Sequence, residues 1–227
     1  ASFQNMGAVT RTQVGQPYNS FYGYVADGLF QSQEEADQFT KTYGNPFGKA
    51  FKAGDIRYKD TDGNGKLTAD DRRVGGAEQP KVTFGLNLNT SWKNFDLSTF
   101  WQGVAGIYRY SWETTTDIRG NFTDRWLDRY SAENINGSMP ALGNTINDQY
   151  SSFWLENSSY LRLKNLEFGY TFRQPGLTKL GVSSIRVYFA GTNLLTFTSL
   201  KNWDPEKTSG DARNDVHPNM RTYSFGL

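Results

Sequence analysis

Val82-Thr83-Phe84-Gly85-Leu86-Asn87-Leu88-Asn89, then Lys93-Asn94, then Phe95-Asp96-Leu97-Ser98-Thr99-Phe100-Trp101 is the stretch that decides the fold of this 227-residue chain. Val82, Phe84, Leu86 and Leu88 alternate with Thr83, Gly85, Asn87 and Asn89, and after Lys93-Asn94 the alternation resumes with Phe95, Leu97, Thr99 and Trp101. Successive side chains of a strand point to opposite faces, so a period of two gathers the apolar residues on one side. Two such runs around a two-residue polar turn predict a β-hairpin.

The same pattern returns further along. Leu166, Phe168, Tyr170 and Phe172 alternate with Glu167, Gly169 and Thr171; the turn region from Gln174-Pro175-Gly176 to Gly181 leads into Ile185, Val187 and Phe189. A last run, Thr222 to Leu227, reaches the chain end. Long polar stretches, at about 106–150 and 198–220, separate these runs, and connections of that length are uncommon in compact domains unless they are functional. Helix signals are scarce. Ser32-Gln33-Glu34-Glu35 forms a capping box and predicts one short surface helix over Ser32–Thr42, closed by Tyr43-Gly44-Asn45-Pro46.

Composition excludes several classes. The 24 Lys and Arg against 23 Asp and Glu leave a net charge of +1, with none of the clustered basic excess that binds nucleic acid. No cysteine is present, which removes disulfides, thiolate metal sites and thiol catalysis from the chain. No run approaches the roughly 18 apolar residues of a membrane helix. A mean hydropathy of −0.66 reads as soluble. A transmembrane barrel defeats that reading, because half of each strand faces a polar lumen. Rings such as Trp92, Phe95, Trp101, Phe168, Tyr170, Tyr188 and Phe197 fall in or near strand ends, where interfacial girdles need them. On alternation alone, a water-soluble β-sandwich reads equally well.

A resemblance separates the two. Phe21-Tyr22-Gly23-Tyr24, Asp27-Gly28-Leu29-Phe30, Gly54-Asp55-Ile56-Arg57-Tyr58, Phe84-Gly85-Leu86-Asn87 and Ser159-Tyr160-Leu161-Arg162-Leu163-Lys164-Asn165-Leu166 stand in one order along the chain. They are followed by Gly191-Thr192-Asn193-Leu194-Leu195-Thr196, Asp204-Pro205-Glu206 and Arg221-Thr222-Tyr223-Ser224-Phe225-Gly226. This series resembles the C-terminal third of the SusC/RagA family of TonB-dependent outer-membrane transporters. The resemblance implies an all-β, antiparallel transmembrane β-barrel, of which residues 1–227 supply the C-terminal strands and long extracellular loops; the plugged 22-stranded class is meant. It also implies a globular plug and a TonB-contacting segment upstream, a SusD-like surface lipoprotein as partner, outer-membrane lipid around the wall, and a glycan or peptide as substrate. The location would be the Gram-negative outer membrane. The start at Ala1 without an initiator Met, and the end at Leu227 where such barrels usually finish on an aromatic residue, give the expectation of an excised piece. Open strand edges would leave such a piece stable only with its remaining strands.

One motif has metal-ligand spacing. Asp60-Thr61-Asp62-Gly63-Asn64-Gly65-Lys66-Leu67-Thr68-Ala69-Asp70-Asp71 places Asp60, Asp62 and Asn64 at calcium-loop positions 1, 3 and 5 and Gly65 at 6. Lys66 would offer its backbone carbonyl, Thr68 sits at 9, and Asp71 replaces the usual Glu at 12. A structural calcium ion is the expectation, in a weaker or wetter site than with Glu. An ion-free turn rich in Asp, Gly and Asn is the alternative. No other cofactor is implied. Trp112, Trp126, Trp154 and Trp203 are candidates to stack on sugar or peptide side chains; packing loops against the wall or lid is their other use. His217, the single histidine, precedes the last run in a loop and reads as solvated.

Three functions compete at this point. Nutrient import through a plugged barrel requires one lipid-facing, charge-free side on every strand, with Arg162, Lys164, Glu167 and Arg186 inside or near the rims. A soluble β-rich module for glycan or protein binding requires both faces covered or wet. A surface glycosidase requires a carboxylate pair in a cleft, which nothing in the sequence places. An enzyme is the least favoured reading.

Overall fold

The computed structural model describes residues 4–5, 9–111, 113, 115–116, 122–178, 181–201, 203–207 and 217–227. Its strands in chain order are β1 (Gln4–Asn5), β2 (Thr10–Thr12), β3 (Ser20–Gly23), β4 (Ala26–Leu29), β5 (Ile56–Tyr58), β6 (Arg73–Ala77) and β7 (Val82–Trp92). They continue with β8 (Phe95–Ala105), β9 (Tyr108–Tyr110), β10 (Leu155–Asn157), β11 (Tyr160–Phe172), β12 (Ile185–Thr198) and β13 (Thr222–Gly226). Two α-helices are described, α1 (Gln33–Tyr43) and a single turn, α2 (Pro175–Thr178). The fold is mostly β, and no described helix is long and apolar enough to cross a membrane.

The chain divides into two compact units. One comprises Ala1–Gln79 and Tyr108–Glu156; the other is built from Pro80–Ile107, Asn157–Asp211 and the C-terminal residues.

The second unit is a five-stranded antiparallel sheet in the order β13-β12-β11-β8-β7. β7 and β8 form the predicted hairpin. Trp92 pairs with Phe95, and Lys93 at φ 56 supplies the left-handed residue of the turn. β11 is longer than the alternation from Leu166 suggested, because the phase of its pattern changes partway. Leu161 and Leu163 lie on the face of Leu166, Phe168 and Tyr170 only because a β-bulge absorbs Lys164. Asn193 sits at φ 53 in β12 opposite that irregularity.

The first unit holds the buried core. Its short strands form a four-stranded sheet, β1-β2-β3-β6, and two pairs, β4-β5 and β9-β10. Phe30, Phe39, Phe51, Phe47, Tyr24 and Tyr58 interlock with ring centroids 5.0–6.2 Å apart. α1 delivers Ala36, Phe39 and Tyr43 from one face to this cluster. Ser32 caps it by accepting from Glu35 N at 3.3 Å, while Glu35 Oε2 accepts from Gln31 N at 3.0 Å. Gly44, at φ 72, ends it with its N–H on Thr40 O. The helix thus starts and ends one residue later than the sequence predicts.

The stretch from 106 to 150 is not a set of open loops in its described part. Trp126, Met139 and Ile146, with Trp154 just beyond the stretch, are buried in the same core as Phe30 and Phe51. Asp55 is 1% exposed and accepts from Asn144 Nδ2 at 2.6 Å, Asn147 Nδ2 at 2.9 Å and Lys52 N at 2.8 Å. Asn147 Oδ1 in turn accepts from Ile56 N, so this polar knot ties residues 52–56 to 144–147. Gly23 lies where a Cβ would meet Tyr150 O at 2.4 Å, which lets Tyr24 bridge to Ser151.

Candidate functional site

The strand registers of the sheet sort its side chains into two faces. Val82, Phe84, Leu86 and Leu88 on β7 share a face with Phe95, Leu97, Thr99 and Trp101 on β8. Pairing carries that face on to Leu161, Leu163, Leu166, Phe168 and Tyr170 on β11, then to Ile185, Val187, Phe189, Leu195 and Phe197 on β12. β13 adds Tyr223 and Phe225. No charged side chain lies on this face among the described strands. It is nonetheless open: Phe84, Leu86, Leu88, Phe168, Phe197 and Phe225 are all exposed, Phe225 to 82%. Apolar area of that extent on a protein surface marks an interface with something other than water. Its aromatic residues collect toward the two strand ends. Trp92, Phe95 and Phe168 stack near the turn end, and Phe197, near the other end, stacks on Trp101 further in.

The opposite face carries every charged side chain of these five strands. Arg186 donates to Asp96 Oδ1 at 3.1 Å and to Glu167 Oε1 at 2.6 Å, joining β12, β8 and β11. Gly169 makes room for this cluster, since a Cβ there would meet Arg186 Nη2 at 2.5 Å and Asp96 Oδ1 at 2.7 Å. Arg162 is 3% exposed; it donates to Thr196 Oγ1 at 2.9 Å, to Asp204 Oδ1 at 2.8 Å and to Glu206. Lys164 reaches Glu206 Oε1 at 2.8 Å, and Asn219 N donates to Asp204 Oδ2 at 2.8 Å. Burial pushes the Asp204 carboxyl up, but the bonds from Arg162, Asn219 and Glu206 outweigh it and hold the group below its ordinary value. The segment around Asp204-Pro205-Glu206 is thereby fastened across the polar face. Both halves of this network stand in the motifs quoted above. The signal for it was an arginine in the polar phase of an otherwise apolar strand, which needs an acid from elsewhere in the chain.

Beside Arg162 the polar face opens into a pocket of about 570 Å³, lined among others by Thr196, Lys201, Trp203, Asp204 and Arg221. Trp203 therefore borders a concave surface, as a ligand-stacking role requires. Trp126 and Trp154 do not. They are 4% and 1% exposed, with indole N–H groups donating to Glu113 Oε2 and to Asn147 O, both at 2.8 Å. Rings sealed in a core cannot stack on a ligand, so these two serve the packing alternative. Trp112 lies outside the described residues.

The Asp60–Asp71 loop leaves β5 and closes on a short 3₁₀ turn, Ala69–Asp71, capped by Thr68. Gly63 and Gly65 take left-handed φ of 72° and 77°, as the sharp turn demands. Ligand oxygens of Asp60, Asp62 and Asp71 lie within 4.8 Å of one another. Asp60 accepts from Gly63 N at 2.7 Å and Gly65 N at 2.8 Å; burial opposes its ionised form, but these bonds hold its pKa below the ordinary value. Asp71, fully buried, accepts from Thr61 N and Thr68 N, both at 2.7 Å, and latches the loop shut. Asn64 Oδ1 accepts from Lys66 N at 2.8 Å, and its Nδ2 donates to Asp62. His217 is exposed, as expected of a solvated loop residue.

No family model matches the chain. It is 31% identical over 226 residues to TonB-dependent receptor P3 of Formosa agariphila, covering 94% of this chain and 22% of that protein. It is 28% identical to TonB-dependent receptor SusC of Bacteroides thetaiotaomicron, covering 90% of this chain and 19% of that one. Among solved structures, the RagAB peptide transporter matches with a TM-score of 0.67 at 25% identity, over 96% of this chain and 23% of that one. The chain spans about a fifth of the length of the curated relatives it matches. These relatives are named as receptors and transporters, not as enzymes.

Proposed function

We propose, from the premise that this chain belongs to the SusC/RagA family of TonB-dependent receptors, that it forms part of the wall and outer loops of an outer-membrane nutrient importer. The observation that carries this reading is the charge-free apolar face running unbroken across five strands. A charge at the bilayer midplane of such a wall costs about 2–4 kcal/mol, and here every charge of the five strands lies on the other face. The strands have the reach: β7 and β8 have 11 residues each, β11 has 13 and β12 has 14, against roughly 9–11 for a tilted membrane strand. Rings at both ends of the apolar face suit the two headgroup levels. In this reading the sheet is the C-terminal part of a plugged, 22-stranded barrel with the polar face toward the lumen. A glycan or peptide is the cargo, a SusD-like lipoprotein closes the outer side, and TonB supplies the energy through the upstream part.

The test uses the full-length protein in lipid vesicles, with single cysteines at Leu86 and Phe168 on one face and at Asn87 and Glu167 on the other. Face-dependent contact is expected: fluorophores at the first pair quenched by brominated lipid, those at the second pair by aqueous iodide. Aqueous quenching at all four positions would refute the membrane wall.

For the Asp60–Asp71 loop the reading is a structural calcium ion, held by Asp60, Asp62, Asn64, the Lys66 carbonyl, Thr68 and Asp71. Its support is the convergence of three carboxylates around two left-handed glycines. Calcium would neutralise the repulsion among these carboxylates and stiffen the loop. Calorimetric titration of calcium into the chelator-treated receptor checks it; heat that persists unchanged in Asp60→Asn removes the loop from consideration.

A further inference from the structure

We propose that the pocket beside Trp203 is a subsite for a carboxylate-bearing ligand, a proposal that rests on the import reading and names the chemistry of its cargo. The pocket lies on the polar face at the strand ends remote from the Lys93-Asn94 turn, where Tyr160 pairs with both Thr198 and Val104. That is the end from which the long connections leave the sheet.

Charge decides the ligand class. Among the described residues the pocket is lined by three cations, Arg162, Lys201 and Arg221, and by one acid, Asp204. Arg162 is spent, because its guanidinium is divided among Thr196, Asp204 and Glu206. Asp204 is spent as well, since Oδ1 accepts from Arg162 and Glu206 N and Oδ2 accepts from Asn219 N. Lys201 and Arg221 make no ion pair with any described residue. Among the described residues, two cations outside any ion pair therefore face a pocket whose one carboxylate is already neutralised. A guanidinium presents a planar fork that matches a carboxylate, and an ammonium beside it adds a point charge. Trp203 gives the pocket an apolar wall, on which a pyranose ring or an aliphatic side chain can lie. The volume, about 570 Å³, accepts one or two residues of an oligomer. A uronic acid within a glycan and a Glu or Asp within a peptide both meet these demands, and their shared carboxylate is what the pocket reads.

The experiment is calorimetric titration of the full-length receptor in detergent at low salt. Its probes are tetragalacturonate, tetraglutamate, and the neutral cellotetraose and end-blocked tetra-alanine. At least one acidic probe is expected to bind, and the doubly substituted Lys201→Gln/Arg221→Gln receptor to bind it about tenfold or more weakly, a loss of about 1.4 kcal/mol. The charge-conserving Lys201→Arg/Arg221→Lys receptor is expected to retain most of the affinity, which separates lost charge from lost folding. Which acidic probe binds tells uronate from peptide. No binding of either acidic probe, equal binding of acidic and neutral probes, or undiminished affinity in the Gln variant overturns the proposal. Retention of the same preparations in liposomes after alkaline extraction tests the membrane reading separately, so a failed pocket and a failed importer give different results.

Discussion

The two units use one kind of residue in opposite ways. Around Phe30 and Phe51 the rings turn inward, and Phe51 is fully buried; across the five-stranded sheet they turn outward, and Phe225 is 82% exposed. Both arrangements answer the same demand, that apolar area leave water. The first unit meets it with its own side chains. The exposed apolar face of the sheet calls for a second apolar phase, which in the proposed import reading is the bilayer. Apolar content therefore says little about where a segment resides, whereas the direction in which a strand's apolar phase points says a great deal.

The largest effect that would sharpen this contrast lies in the buried core. Trp154→Ala removes an indole packed against Trp126 and Phe153 and orphans the acceptor on Asn147. A loss of about 3–5 kcal/mol is expected, read as faster hydrogen exchange at amides of the first unit in the full-length protein. A change confined to the sheet would contradict the division into units.

Next comes the apolar face itself. Leu86→Arg places a cation among Trp101 and its neighbours in the middle of β7 and is expected to cost about 2–4 kcal/mol in urea-driven unfolding from vesicles. Asn87→Arg, one residue on and on the polar face, is expected to cost far less. Equal losses at the two positions would mean that the two faces meet the same surroundings.

A third effect is set by pH and belongs to the first unit alone. Burial raises the pKa of Asp55, and the bonds from Lys52 N, Asn147 and Asn144 only partly offset it. A carboxyl with a raised folded pKa binds its proton more tightly when folded. Its contribution to stability is complete below the unfolded pKa of about 3.9 and is lost as pH rises through the folded value. Protection of the Ile56 amide, measured from pH 7 downward, is therefore expected to gain from this group as pH falls. In Asp55→Ala that component of the slope disappears, and an unchanged slope would show that Asp55 does not titrate differently in the two states.

Legibility in the sequence followed the same divide. The β7–β8 hairpin, its turn at Lys93-Asn94 and the apolar phase of β11 and β12 were readable, because strand alternation is a local property of period two. The position of Arg162, Glu167 and Arg186 opposite that phase was readable for the same reason. The core of the first unit was not. Trp126 and Trp154 look like loop residues in a polar stretch, and their burial depends on partners such as Phe30 and Tyr58 nearly a hundred residues earlier. The bulge at Lys164 was not legible, because only pairing with β8 and β12 shows that this one residue is extra. Of the candidate site residues, the Asp60–Asp71 loop was legible because its ligands are local. The Arg162–Asp204–Glu206 network was not, because it spans more than forty residues.

The smallest expected effect concerns the polar face. Asp96→Asn removes one of two carboxylates on Arg186, and Glu167 stays bonded at 2.6 Å. Asp96 and Arg186 are both more than a third exposed, at 38% and 35%. Water screens such a pair, and the ordering of two side chains offsets much of its attraction. The midpoint of unfolding from vesicles is expected to stay within the scatter of repeat runs, at low and at high salt alike. If this face instead lay against lipid or inside a dry core, the same substitution would strip a partner from a buried cation and destabilise the sheet strongly. A silent Asp96→Asn beside a damaging Leu86→Arg would therefore assign water to one face and lipid to the other. A damaging Asp96→Asn would put a dry environment on the charged side and reverse that assignment.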